Sequence, residues 1–230
     1  MPEVVEVKQL IQQQIIPAFL QQVEDIHVMQ TVSNAVYGAA LMGLNMPLHQ
    51  LLQDKPESIY TAAKPHELSI TLYAAALSND LQQQELDQVL PGLLAQLPQL
   101  LPQHVANTLW AAATAGLQLQ PQHLQQFVGA LMQQPAEPQA LGMFLWSVAK
   151  MDLTLPQQQV EQLVELLMTV LAACQPQTIS NAGRSGQVHH NRPAACTVPK
   201  KRHWWHQVIW FLGGLKAFCL SLCSLRSVKT

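Results

Sequence analysis

Four segments of this chain align on an aromatic residue: 30–40, 66–76, 103–113 and 139–149, with Tyr37, Tyr73, Trp110 and Trp146 in register and 36, 37 and 36 residues apart. Self-similarity at such a period marks a repeat architecture, because one unit is too small to bury its own apolar face and neighbouring units must stack to do so. The recurrence restricts the chain to folds built by adding one unit after another.

Each copy carries its own punctuation. Eight residues before the aromatic stand Pro65, Pro102 and Pro138, with Met29 at that offset in the first copy. Proline suits a first helical turn, where its missing N–H leaves no bond unmade. Six residues after the aromatic come Gly43, Asn79, Gly116 and Asp152, the residue types that best tolerate the left-handed conformation closing a helix. Between these marks Val105, Leu109, Ala112 and Gly116 follow the spacing of one buried helical stripe, with small residues that admit a close neighbour. This is helix A of the repeat.

A second stripe comes after a connection often containing proline (Pro47, Pro121, Pro156): Leu124, Phe127, Val128, Leu131 and Met132 in one copy, Val160, Leu163, Val164, Leu167 and Leu171 in the next. It predicts a broader apolar helix B. Leu10, Ile11, Ile15, Phe19 and Leu20 read as a helix B without its helix A, so residues 1–27 are expected to form a partial repeat, 28–182 the array and 183–230 a tail outside it. The fold class predicted is all-α, an α-solenoid of two-helix repeats, about four with partial copies at both ends, following a superhelical path.

Charge separates the array from the tail. All fourteen acids precede residue 183, accompanied by Lys8, Lys55, Lys64 and Lys150 alone, so the first part carries a net −10. From Arg184 onward there are eight Lys or Arg and no acid. Only 11% of the chain is charged, and glutamine replaces charge as the main polar residue. Cys174, Cys196, Cys219 and Cys223 form no C-x-x-C pair and no disulfide framework, which points to a reducing compartment. The opening Met1-Pro-Glu-Val-Val-Glu has neither a basic n-region nor Arg-rich transit character, so no targeting segment is expected there.

The string from Pro102 to Leu117, PQHVANTLWAAATAGL, resembles the core of the octotricopeptide repeat, a helical motif of about 38 residues, and Pro176-Gln-Thr-Ile-Ser-Asn-Ala182 is similar to the start of another copy. The resemblance covers about residues 28 to 182. Ile70 and Met143 stand where the motif usually has Asn. It implies sequence-selective binding of single-stranded RNA in the maturation, stability or translation of plastid or mitochondrial transcripts.

On a 100° helical wheel Gln103, Asn107, Ala111 and Thr114 lie opposite the buried stripe, with Gln30, Asn34, His66, Gln139 and Lys150 as counterparts. Repeat proteins that read RNA use a few side chains per repeat to hydrogen-bond and stack on unpaired bases. Gln30, Asn34, His66, Gln103, Asn107, Thr114, Gln139 and Lys150 are therefore the candidate RNA contacts. The alternative for the same face is solvation alone. Tyr37, Tyr73, Trp110 and Trp146 read as packing keys between neighbouring repeats, with base stacking as their second use. The scarcity of lysine opposes RNA affinity, which ordinarily rests on phosphate neutralisation, and leaves a protein-binding scaffold as the competing function.

No Gly-rich phosphate loop, H-E-x-x-H or nucleophile signature is present, so no enzymatic activity and no cofactor are expected. His189, His190, Cys196, His203 and His206 match no zinc-module spacing, and no metal is expected. Arg184 occupies the position of a fifth aromatic, and the residues beyond it continue no repeat, as a shifted reading frame or a retained intron would leave them. The competing reading of the tail is a membrane anchor at Val208 to Leu225, flanked by Lys200-Lys201-Arg202 and Trp204-Trp205. Lys216 at its centre opposes insertion by about 2.5–3.5 kcal/mol, and a membrane is not expected as a partner.

Overall fold

The computed structural model describes residues 2–173, in which every regular element is helical. The elements are α1 (Pro2–Leu10), a π-helical turn (Ile11–Ile15), α2 (Ile16–Leu20), α3 (Met29–Met42), α4 (Leu48–Leu52), α5 (Glu57–Ala62), α6 (Pro65–Leu77), α7 (Gln83–Leu94), α8 (Pro102–Ala115), α9 (Pro121–Met132), α10 (Pro138–Lys150) and α11 (Gln157–Ala173), with short 3₁₀ turns at Val23–Asp25 and Leu97–Gln99. The expectations for the tail and for the fifth copy at Pro176 to Ala182 lie outside the described residues.

The fold is all-α and helical-repeat in character. Helices α3, α6, α8 and α10 are the four A helices, and each packs on the next in chain order. The B elements lie beside them: α6 packs on α7, α8 on α9, α10 on α11 and α5 on α7. The punctuation acts as the sequence predicts. Met29, Pro65, Pro102 and Pro138 are the first residues of the A helices, and Gly43, Asn79, Gly116 and Asp152 adopt φ of 67°, 56°, 70° and 52°. Each of these four positions ends its A helix in the left-handed region and turns the chain toward helix B.

Two B elements depart from expectation. In the first full repeat the stripe is broken into α4 and α5, since Asp54 takes φ 55° and Pro56 comes two residues later, which stops one helix and starts another. In the N-terminal element Leu10 and Ile15, expected in the stripe, are exposed, and Ile16 is buried instead. For Ile15 and Ile16 the cause is the π-helical turn Ile11–Ile15, whose wider i→i+5 winding delays the apolar face by one residue.

Successive repeats are fastened at both edges by hydrogen bonds, mostly from glutamine amides. At the A-to-B turns, Gln12 Nε2 donates to the Asn45 carbonyl (3.2 Å) while Asn45 N–H donates to Gln12 Oε1 (3.3 Å). The same two-point clasp recurs at Gln83 and Gln118 (3.1 and 3.0 Å). Between these, Leu48 N–H donates to Asp80 Oδ2. At the B-to-A turns, Lys55 Nζ donates to the carbonyls of Val23 and Ile26, Gln96 to Ala63, and Gln134 to Leu100. A side-chain amide offers a donor and an acceptor side by side, which matches the N–H and C=O of a turn, and glutamine thus does between repeats what charge does in other chains. Gln12→Ala, which removes two bonds that are both to the Asn45 backbone, is expected to cost about 1 kcal/mol. Because the clasp is neutral, the loss should be the same in urea titrations at low and high salt, whereas an ion pair would be screened.

Candidate nucleic-acid interface

The faces of an A helix can be assigned by comparing copies. Three positions that lie within the helix in every copy remain open to solvent in all four: Gln30, His66, Gln103 and Gln139 form one row; Tyr37, Tyr73, Trp110 and Trp146 a second; Leu41, Leu77, Thr114 and Lys150 a third. Their offsets of seven and four residues put them on one side of the helix. The three rows run side by side across α3, α6, α8 and α10.

The aromatic row is continuous over three copies. The rings of Tyr73 and Trp110 lie 4.8 Å apart at 40°, and those of Trp110 and Trp146 lie 6.4 Å apart at 32°, within the range of favourable ring pairs. The packing role expected for these residues is therefore present, yet none is buried: Tyr37 is 36% exposed and the other three are half-buried. The Tyr73 pKa is raised by burial first and by the neighbouring Tyr37 second.

Asn107 and Ala111, expected opposite the buried stripe, are corrected: both are buried. Positions 107 and 143 turn toward the preceding A helix, as the contact of Gln103 Nε2 with Met143 Sδ (3.9 Å) across α8 and α10 records. Asn107 reaches the interface indirectly, since its Oδ1 accepts from Gln103 Nε2 at 2.7 Å and fixes that amide. Asn34, in the first A helix, is exposed because no described A helix precedes it. Gln30, His66, Gln139, Thr114 and Lys150 are exposed and Gln103 is half-buried. Sequence reasoning missed Leu41 and Leu77, 48% and 44% exposed on this face; their place four residues after the aromatic is the signal that identifies them.

Charge on the open face is sparse. Lys150 stands on it, whereas Lys55 is held by two backbone carbonyls at a turn. The imidazole of His104 is buried beneath the first row, 6.1 Å from that of His66. Its Nδ1 accepts from Leu101 N–H at 3.1 Å and caps α8, a bond that requires the neutral ring. Burial, and then the proximity of His66, lower its pKa. The unfolded chain therefore binds the proton more readily than the folded one. Stability from this group is complete above the ordinary histidine value of about 6.5 and falls as pH drops toward the folded value. The expected result is a thermal midpoint that declines from pH 7 to pH 5, with a flatter profile in His104→Gln.

Among the described residues no group of three or more His, Cys, Asp or Glu side chains is placed to hold a metal ion, and no helix is long and apolar enough to cross a membrane. No family model, curated protein or solved structure matches the chain.

Proposed function

We propose that the open face of the A helices binds single-stranded RNA, within an α-solenoid that acts in the maturation, stability or translation of plastid or mitochondrial transcripts, as its octotricopeptide-like motif implies. The observation that supports this reading is the pairing of two rows: each repeat offers one hydrogen-bonding side chain (Gln30, His66, Gln103 or Gln139) and, seven residues on, one accessible ring. Recognition of unpaired bases requires these two elements, an edge contact and a stacking surface. With Lys150 as the cation on that face among the described residues, affinity at the face rests on bases more than on phosphates. Lys150→Gln is expected to reduce the salt slope of log K by about 0.7, the contribution of one phosphate on a single strand.

A second reading is favoured by a different part of the same face. Tyr37, Leu41, Met42 and Leu77 are all exposed on α3 and α6, and an apolar patch of this kind suits a protein partner. Selection of the full chain against a random single-stranded RNA pool and a matched DNA pool, at two salt concentrations, separates the two. Enrichment of a short RNA motif whose binding weakens in Gln103→Ala supports the RNA reading. Absence of enrichment at low salt overturns it and favours the protein scaffold.

A further inference from the structure

In three helices the third residue caps the first turn by accepting from the backbone N–H of the residue before the helix, but the acceptor differs. In α6 it is Glu67 Oε2 on Lys64 N–H (3.1 Å), in α7 Glu85 Oε2 on Gln82 N–H (3.0 Å), and in α8 His104 Nδ1 on Leu101 N–H (3.1 Å). A carboxylate is the common choice for this cap. An imidazole caps as well and adds what a carboxylate lacks: with the Nδ1 lone pair taken by Leu101, the proton stands on Nε2, which becomes a donor. His104 is 9% exposed, and its Nε2 has no partner among the described residues and is not sealed from solvent.

His66 stands next to this group on α6, its ring centroid 6.1 Å from that of His104 at a tilt of 55°. At that separation no nitrogen of one ring comes within hydrogen-bond distance of the other, so each keeps its proton for a third group. His66 is exposed, and rotation of an imidazole about its last side-chain bond is soft, so it can turn an N–H toward an atom that His104 also holds. Both rings lie in the first turn of their helices, where backbone N–H groups without partners leave partial positive charge. Of the charged side chains at that end of α6, Glu67 is committed to the cap and Lys64 is exposed.

We infer that His66 and His104 together hold a phosphate oxygen and, resting on the reading of this face as an RNA-binding one, that the phosphate belongs to the RNA backbone where it passes from α6 to α8. A metal ion is another ligand that two imidazoles can share, but it would need a lone pair on His104 Nε2. That lone pair exists only if the proton moves to Nδ1, which breaks the cap of α8. An anion takes the proton where the fold has already placed it. The assignment divides the first row. In this copy the side chain holds the backbone, and Gln30, Gln103 and Gln139 are left for base edges.

The test uses the full chain in two arms. In the first, inorganic phosphate is titrated at constant ionic strength against chloride, and the ring proton resonances of His66 and His104 are followed by NMR. Both should move along one saturating curve while those of His27 and His49 stay still. His104→Glu keeps the cap in the form that α6 uses and replaces the donor by an acceptor, so the His66 shift should vanish while the circular dichroism is unchanged. His66→Ala, at an exposed position, should weaken phosphate binding about tenfold by the His104 signal, the contribution of one hydrogen bond to a charged group. If His104→Glu unfolds, His66→Ala decides alone. Rings that stay still in the parent overturn the proposal, as does a His66 shift that persists in a folded His104→Glu or phosphate binding that is unchanged in His66→Ala. In the second arm, RNA selected from the random pool carries an uncharged methylphosphonate at each linkage in turn. One linkage should weaken binding to the parent about tenfold and leave His104→Glu almost unaffected. A chain whose rings respond to phosphate but which selects no RNA keeps the site and loses the RNA reading. One that selects RNA while its rings stay still keeps that reading and loses the site. Rings that respond with no sensitive linkage assign the site to a free phosphate compound and overturn its place on the RNA.

Discussion

Gly92→Ala is expected to destabilise the protein by about 1–3 kcal/mol, although alanine inside a helix ordinarily improves on glycine by about 0.5–1 kcal/mol. The sign is decided by what a side chain would meet. A Cβ at Gly92 would lie 2.6 Å from the Tyr60 carbonyl oxygen, 3.0 Å from its carbon and 3.1 Å from Leu68 Cδ1. The first two are backbone atoms of α5, so no rotamer change removes the clash, and α5 and α7 would have to part where they pack. Gly129 in α9 is the control. It is exposed, and nothing lies within 4 Å of its Cβ position, so Gly129→Ala should gain about 0.5–1 kcal/mol. Urea unfolding of the two variants should shift in opposite directions. A Gly92→Ala protein as stable as the parent would mean that the close approach of α5 to α7 is not kept in solution.

The parts of this fold legible in the sequence are those set by local chemistry. Proline at a first turn and glycine, asparagine or aspartate at a left-handed end act within a few residues, and all four A helices end one or two residues before the left-handed residues that these signals mark. The all-α class and the repeat derive from them. The features that were not legible depend on which neighbour a face meets. A helical wheel divides a helix into an apolar and a polar side, but an interior A helix is covered on three sides, by B elements and by A helices before and after it. Asn107 is polar and buried for that reason, while Asn34, its counterpart, is exposed at the end of the row. The slip from Ile15 to Ile16 was hidden too, because a π-helical turn adds a residue that the 3.6-residue period does not count. The glutamine clasps join residues 33 and 35 apart, and nothing local distinguishes those glutamines from the solvated ones around them.

Tyr37→Ala and Trp110→Ala are expected to weaken RNA binding to a similar degree but to differ on stability, and the difference tests what the aromatic row does. Trp110 touches Tyr73 on one side and Trp146 on the other. Its loss removes two ring contacts and leaves a gap in a half-buried row, at a cost of about 2–3 kcal/mol, below the value for a fully buried tryptophan. Tyr37 is exposed at the end of the row, and its truncation should change stability by less than about 0.5 kcal/mol. Stacking of one base on an aromatic side chain contributes about 1–3 kcal/mol, so each variant should lose roughly 5- to 150-fold in affinity for the selected RNA. Fluorescence anisotropy with that RNA, beside thermal unfolding of the same preparations, reads both effects. A Tyr37→Ala protein that binds RNA as tightly as the parent would assign the row to packing alone. The stability lost in Trp110→Ala would then be its whole contribution, and the exposed Leu41, Met42 and Leu77 around Tyr37 would point to a protein partner. If affinity falls in both while only Trp110→Ala is destabilised, the same residues join the repeats and stack the bases, which explains why a ring recurs in each copy at a position that folding alone would let leucine fill.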